Sequence, residues 1–182
     1  SKTLEFKREL PKGQQIAKTL VAFANSSGGK LIIGVDDDRK IIGVQEDIFQ
    51  LQDKATSIIH DLCQPQLTAQ VYLENINNTE VLVIEVARGN LLPYFLKSMG
   101  KEAGTYIRLG ASNRQAGPEY IQQLELQRLN ISFDELPNYQ YPVSDVDISP
   151  LEQAFKSKGK PLTQEKLLNL KLAIQEQGEL YA

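Results

Sequence analysis

Apolar positions change their spacing several times along this chain, and each change marks an element. Ile16, Leu20 and Phe23 recur at i, i+4 and i+7, and Ala17, Val21 and Ala24 repeat that spacing one step round. Residues 13–24 are therefore predicted to form a helix with a broad buried face. Residues 25–29 end it, because Gly28 and Gly29 can take the positive-φ conformations that a helix stop and sharp reversal need. Leu31, Ile32, Ile33 and Val35 then make the short apolar run of a buried strand, with Asp36, Asp37 and Asp38 at its carboxyl end. Residues 40–44 read as a second short strand joined to the first through the turn 36–39, a hairpin signal.

Further on, Ile48, Leu51, Ala55, Ile58 and Leu62 keep a helical period that closes before Pro65. Leu67, Ala69, Val71 and Leu73 alternate with polar residues and predict a strand with one wet face. The continuous run 81–84 predicts a strand buried on both faces, reached through a turn at 75–79. Residues 105–109 form another strand, and Pro118 opens a helix carrying Ile121, Leu124 and Leu129. The fold class expected is α/β of the α+β kind, a mixed β-sheet packed with helices.

The pattern breaks near residue 130. Residues 130–148, with Pro137, Tyr139, Tyr141 and Pro142 among acids, lack a helical period and read as an extended arm. Ser149-Pro150-Leu151-Glu152 has the form of a capping box, and Thr163 can cap the Leu167–Leu172 segment. Two short helices are expected after the arm, too small to bury a core alone. The division expected is a main domain over 1–130 and an arm with short helices over 131–182. The second part serves as a linker to a downstream domain or as the element that joins a homodimer.

Composition narrows the function. No apolar run approaches the ~20 residues of a membrane-spanning helix, and the start at Ser1 is neither a secretion signal nor an initiator methionine, as if trimmed. The one cysteine, Cys63, and the one histidine, His60, make no disulfide and no structural zinc set, which suits a reducing cytoplasm. His60 lies beside the helical stripe and reads as a surface residue rather than a base. Lys and Arg total 20 against 23 Asp and Glu; the counts are 15 and 15 up to Phe133 and 5 and 8 after it. A bulk basic field is absent, so any polyanion site is a local patch, for which Lys7, Arg8, Lys12, Lys18, Arg108 and Arg114 are the candidates.

Four blocks, taken in order, resemble a known family. Glu5-Phe6-Lys7, the stretch 22–29, Ile33-Gly34-Val35-Asp36-Asp37 and the stretch 106–114 are similar to the successive motifs of the Schlafen/AlbA-type DNA-binding domain. That domain, once described as a divergent AAA ATPase module, stands at the front of many bacterial transcriptional regulators and of proteins related to ATP-dependent helicases. The resemblance covers about the first two thirds of the chain and implies a fold more firmly than an activity.

Two chemistries follow from the resemblance. In the first, a nucleic-acid-binding module with duplex DNA as first-choice ligand, backbone amides near Ser26, Ser27, Gly28 and Gly29 join Lys7, Arg8, Lys30, Arg108 and Arg114 in holding phosphates. Ser112 and Asn113 add neutral hydrogen bonds, and no cofactor is needed. The alternative is a metal-dependent ribonuclease acting on structured RNA, as in some animal Schlafens. Glu5 with Asp36 or Asp37 would then hold magnesium or manganese, and the remaining glutamate falls one position before Ser1. Each residue also has a structural reading: residues 25–29 as a plain helix-to-strand turn, Arg108 paired with a carboxylate inside the fold, Glu5 paired with a base such as Lys7 or Arg39, and Asp36 to Asp38 as an exposed turn. Nucleotide hydrolysis lacks its residues, because Ser26-Ser27-Gly28-Gly29-Lys30 is too short for a phosphate-binding loop and Leu31 stands where a hydroxyl is required.

Overall fold

The computed structural model describes residues 1–134 and the two strand segments 174–176 and 179–181. Strand β1 (Leu4–Lys7) leads into helix α1 (Gly13–Ala24) and strand β2 (Gly29–Ile33). The helical repeat buries Ile16, Leu20 and Phe23 completely. β1 and β2 run parallel, with Glu5 opposite Leu31 and Lys7 opposite Ile33. Parallel neighbours need a crossover connection, and α1 supplies it.

Helix α2 (Ile48–Leu62) starts at Asp47, whose carboxylate accepts the N–H groups of Phe49 at 3.0 Å and Gln50 at 3.1 Å. It runs into the short strand β3 (Cys63–Gln64). Strands β4 (Ala69–Ile76) and β5 (Thr79–Val86) form a hairpin around Asn77 and Asn78, whose φ values of 52° and 62° suit the tight turn that matches strand twist. The main sheet has the order β1-β2-β5-β4, with β5 antiparallel to both neighbours. Leu31, Ile33, Leu82 and Ile84 on one face join Ile16, Leu20, Leu51 and Ile59 in a single core. Val81 and Val83, which alternate with them, are equally buried, so β5 is dry on both faces as its continuous apolar run predicts.

Strand β6 (Phe95–Leu96) pairs with β3, and a one-turn helix α3 (Gly100–Gly104) precedes the hairpin of β7 (Tyr106–Leu109) and β8 (Ser112–Gln115). Helix α4 (Pro118–Asp134) follows and places Ile121 and Leu124 in the core. No described helix is long and apolar enough to cross a membrane.

Two expectations change. The strand predicted over 40–44 is reduced to a single bridge, Val35 to Ile41. Gly34 and Gly43 hold positive φ values of 105° and 76°, and their backbones pack so closely that a Cβ on Gly34 would lie 2.9 Å from the Gly43 carbonyl carbon. The Gly34 carbonyl accepts both the Ile42 and Gly43 N–H groups at 2.9 Å, a geometry that stops a regular ladder. Residues 130–134, expected to open an extended arm, are helical instead, since α4 continues to Asp134; neither proline nor glycine interrupts the chain between Pro118 and Pro137.

The chain divides into two compact units, Ser1–Arg128 and Leu129–Ala182. In the second, strands β9 (Ile174–Glu176) and β10 (Glu179–Tyr181) pair antiparallel, an element that the apolar spacing did not suggest. The rest of the expected arm and the helices opening at Ser149 and Thr163 lie outside the described residues.

Candidate functional site

The hairpin β7–β8 is fastened to the domain by a buried arginine. Arg108, 3% exposed, donates from Nη1 to Glu5 Oε2 at 2.6 Å and to Asn113 Oδ1 at 2.7 Å, and from Nη2 to the Ser1 carbonyl at 3.1 Å. Its backbone N–H donates to Ser26 Oγ at 2.9 Å, and its guanidinium lies 5.1 Å from the centroid of the Phe23 ring. Asn113 in turn donates from Nδ2 to Thr19 Oγ1 at 2.9 Å. A cation this deep is tolerated because it is paired and hydrogen-bonded, although Nε has no partner.

Asn25, just past α1, ties the same region together. Its Nδ2 donates to the carbonyls of Tyr94 at 2.7 Å and Tyr106 at 2.9 Å, and its Oδ1 accepts the Tyr94 N–H at 2.7 Å. The helix end, the chain entering β6 and the start of β7 are thereby locked together.

Beside this anchor opens a cleft of about 590 Å³. Glu5 and Lys7 reach it from β1, Gln15, Lys18 and Thr19 from α1, and Ser112, Asn113 and Arg114 from β8. Three cations thus face one carboxylate, and that carboxylate is already held by Arg108 at Oε2 and by Lys7 at Oε1, 3.2 Å away. Lys18 also lies 4.7 Å from the centroid of the Tyr106 ring. Among the described residues, Lys18 and Arg114 form no ion pair. The result is a concave, polar, cationic surface whose floor is fixed by buried bonds.

Six of the residues singled out in the sequence, Glu5, Lys7, Lys18, Ser112, Asn113 and Arg114, therefore meet in one place. Arg108 stands behind them as the internal pair to Glu5, with no surface left for a phosphate. The amide cradle expected at residues 26–29 is not open, since the N–H groups of Ser26 and Gly28 both donate to the Phe23 carbonyl, at 3.1 and 2.9 Å. The glycines there answer to packing: Gly28 holds φ 73°, and a Cβ on Gly29 would sit 2.6 Å from the Phe23 ring. Ser27 is exposed on the same turn and lines no part of the cleft. Lys30 lies on the other face of the sheet, because side chains alternate along β2 and Leu31 is the one that faces the cleft. There the Tyr72 hydroxyl, and then the Glu85 carboxylate 3.4 Å away, hold the Lys30 ammonium above its ordinary pKa. Arg8, exposed just beyond β1, does not line the cleft either.

A magnesium or manganese ion on Glu5 with Asp36 or Asp37 does not fit this arrangement. Both Glu5 oxygens face cations, and Asp36 Oδ1 closes its own turn by accepting the Lys40 N–H at 2.8 Å. Asp37 is exposed, and among the described residues no three His, Cys, Asp or Glu side chains are grouped to hold a metal.

The family model described as Schlafen, AlbA_2 matches residues 1–117, the stretch that contains the whole cleft. The chain belongs to that family. Within the Schlafen, AlbA_2 domain, similarity extends to an uncharacterized ATP-binding protein of Ureaplasma parvum serovar 3, 41% identical over 69 residues, or 35% of this chain. The match spans only 19% of that relative's length. Among solved structures, the N-terminal domain of a RecG-related protein from Nitrosomonas europaea is similar at 27% identity and a TM-score of 0.48, over 62% of this chain and 82% of that one. The DIP2311 protein from Corynebacterium diphtheriae shares the fold at 20% identity and a TM-score of 0.51, over 99% of this chain and 34% of its own.

Sequence reasoning gave Asn25 no role beyond the turn and did not single out Thr19 or Gln15. For the last two a signal existed: Gln15, Lys18 and Thr19 follow i, i+3, i+4 on α1, a polar strip beside the apolar face.

Proposed function

We propose that the Schlafen, AlbA_2 domain of this chain is a nucleic-acid-binding module that grips the backbone of duplex DNA through the cleft between β1, α1 and β8. The observation that carries this reading is the convergence of Lys7, Lys18 and Arg114 on one concave surface in a chain with no overall positive charge. Phosphate affinity depends on such local cations, and the counterions they displace make it salt-dependent. Arg114 can clasp a phosphate with two parallel N–H bonds, the lysines act as point charges, and Ser112 supplies a neutral donor. None of these groups is directed by a base pattern, so contacts in the cleft position the duplex without reading it.

In the longer protein this module is proposed to serve a bacterial transcriptional regulator, with a further output domain and with self-association through the segment after residue 130. Pairing two modules would double a patch that is weak alone. ATP, named for the Ureaplasma relative, has no comparable support, since the turn 26–29 uses its Ser26 and Gly28 amides internally and Lys30 faces away from the cleft.

Incubation with labelled duplex DNA and labelled structured RNA, with manganese or with chelator, tests the reading on native and denaturing gels. Intact, shifted DNA in both conditions is expected. Metal-dependent shortening of the RNA, abolished by chelator, would overturn it in favour of a nuclease.

A further inference from the structure

The hairpin that carries Ser112, Asn113 and Arg114 into the cleft ends in an apolar tip. Leu109, Gly110 and Ala111 form it, all exposed, with Leu109 at 57%. Gly110 takes φ 59°, and a Cβ built there would meet nothing within 4 Å, so the tip stands clear of the rest of the domain. A turn in water is ordinarily polar; this one presents a leucine instead.

The root of the same hairpin is unusually well fixed. Arg108, adjacent to Leu109, is bonded to Glu5, Asn113, Ser26 and the Ser1 carbonyl, and Asn113 is bonded to Thr19. A buried ion pair of this kind contributes little net stability compared with apolar packing. What it does supply is a fixed direction for the residues beyond it. Leu109 and Ser112 are direct cross-strand partners, so their side chains leave the same face of the ribbon about 5 Å apart. An apolar side chain is thereby held at a set distance from a residue that lines the cationic cleft.

From this juxtaposition we infer that Leu109 is an apolar wedge that presses on a base step of the duplex whose phosphates occupy the cleft. The inference rests on the proposed DNA-binding reading and adds to it the element that senses the bases. A leucine inserted at a step partly unstacks it, at a cost that depends on the step, and pyrimidine–purine steps yield most readily. Discrimination would then come from deformability, through a tip that makes no hydrogen bond to a base.

The test is titration of the intact chain, at several salt concentrations, into a duplex carrying 2-aminopurine at its pyrimidine–purine steps; unstacking raises the fluorescence of this base. Wild type is expected to raise it several-fold. Leu109→Ala should abolish the rise and weaken binding about tenfold at an unchanged salt slope, while Leu109→Met keeps both signals. Arg114→Ala should lower the slope and leave the rise intact at saturation. Binding by wild type with silent fluorescence, or Leu109→Ala indistinguishable from wild type, overturns the wedge and leaves the phosphate cleft standing. No binding by wild type at low salt overturns both.

Discussion

Arg108 and Glu5 lie 103 positions apart and meet through a 2.6 Å bond from Nη1 to Oε2, which joins the second hairpin to the first strand of the sheet. The Arg108 side chain is 1% exposed and that of Glu5 16%, so this is an interior pair at the back of an open cleft. The contact ties together two walls of the cleft, β1 and the hairpin of β7 and β8.

Removing one partner of a buried pair strands the other. Arg108→Ala should lower stability by about 3 kcal/mol, toward the lower end for such losses because Glu5 keeps Lys7. Arg108→Lys should rescue little, since one ammonium cannot bond Glu5, Asn113 and the Ser1 carbonyl in the arginine's planar geometry. Urea denaturation midpoints check both; an Arg108→Ala protein as stable as wild type would contradict the structural role.

Among the described residues, Glu5 is the one carboxylate lining the cationic cleft, so binding and stability should move in opposite directions when its charge is removed. Glu5→Gln is expected to weaken the fold while raising DNA affinity roughly fivefold, about 1 kcal/mol of relieved repulsion. Fluorescence anisotropy at low salt reads the affinity and thermal melting the stability. A drop in affinity with the fold intact would mean that Glu5 contacts the ligand as an acceptor.

Asn25 makes three buried bonds, to Tyr94 twice and to Tyr106 once. Asn25→Ala leaves two carbonyls and an N–H without partners, each worth roughly 1–3 kcal/mol when buried. A loss of about 3 kcal/mol or more is expected in chemical denaturation, and Asn25→Asp should be comparably harmful because it replaces the Nδ2 donor with a buried charge.

Burial pushes the Cys63 thiol up from 9.0 to about 12. In the folded chain it keeps its proton where the unfolded chain loses it, so folding binds more protons than unfolding between those values. The contribution of Cys63 to stability is therefore present below pH 9 and declines as pH rises toward 12. Urea midpoints from pH 8 to 10 should fall less steeply for Cys63→Ala than for wild type. Thiol-specific reagents at pH 8 should label the native chain far more slowly than the unfolded one.

Much of this fold was legible because the helices and the central strands are written in apolar spacing. Ile48, Leu51, Ala55, Ile58 and Leu62 mark α2 from its first residue to its last, and the run 81–84 identifies the strand buried on both faces. The short β3, β6 and β8 were not legible, since two to four residues carry no period, and Ser112–Gln115 is polar throughout. Residues 40–44 looked like a strand, but two positive-φ glycines packed backbone to backbone prevented the ladder. At the site, residue type singled out Lys7, Lys18, Ser112, Asn113 and Arg114, which the fold brings to one cleft. It left open whether Arg108 meets a phosphate or pairs with a carboxylate inside the fold, and it did not place Lys30 on the opposite sheet face. Those facts depend on the register of β1 against β2 and of β7 against β8, which no local pattern specifies.

The most direct test of the account is the salt dependence of duplex DNA binding by wild type and by Lys7→Ala, Lys18→Ala and Arg114→Ala. Each cation that meets a phosphate contributes about 0.9 to the slope of log K against log salt. Each substitution should therefore lower affinity at low salt and reduce the slope by about one, whereas Arg8→Ala and Lys30→Ala, outside the cleft, should leave it unchanged. Unchanged slopes for all three cleft variants, or equal losses for Lys30→Ala, would contradict the claim that this cleft holds the phosphate backbone.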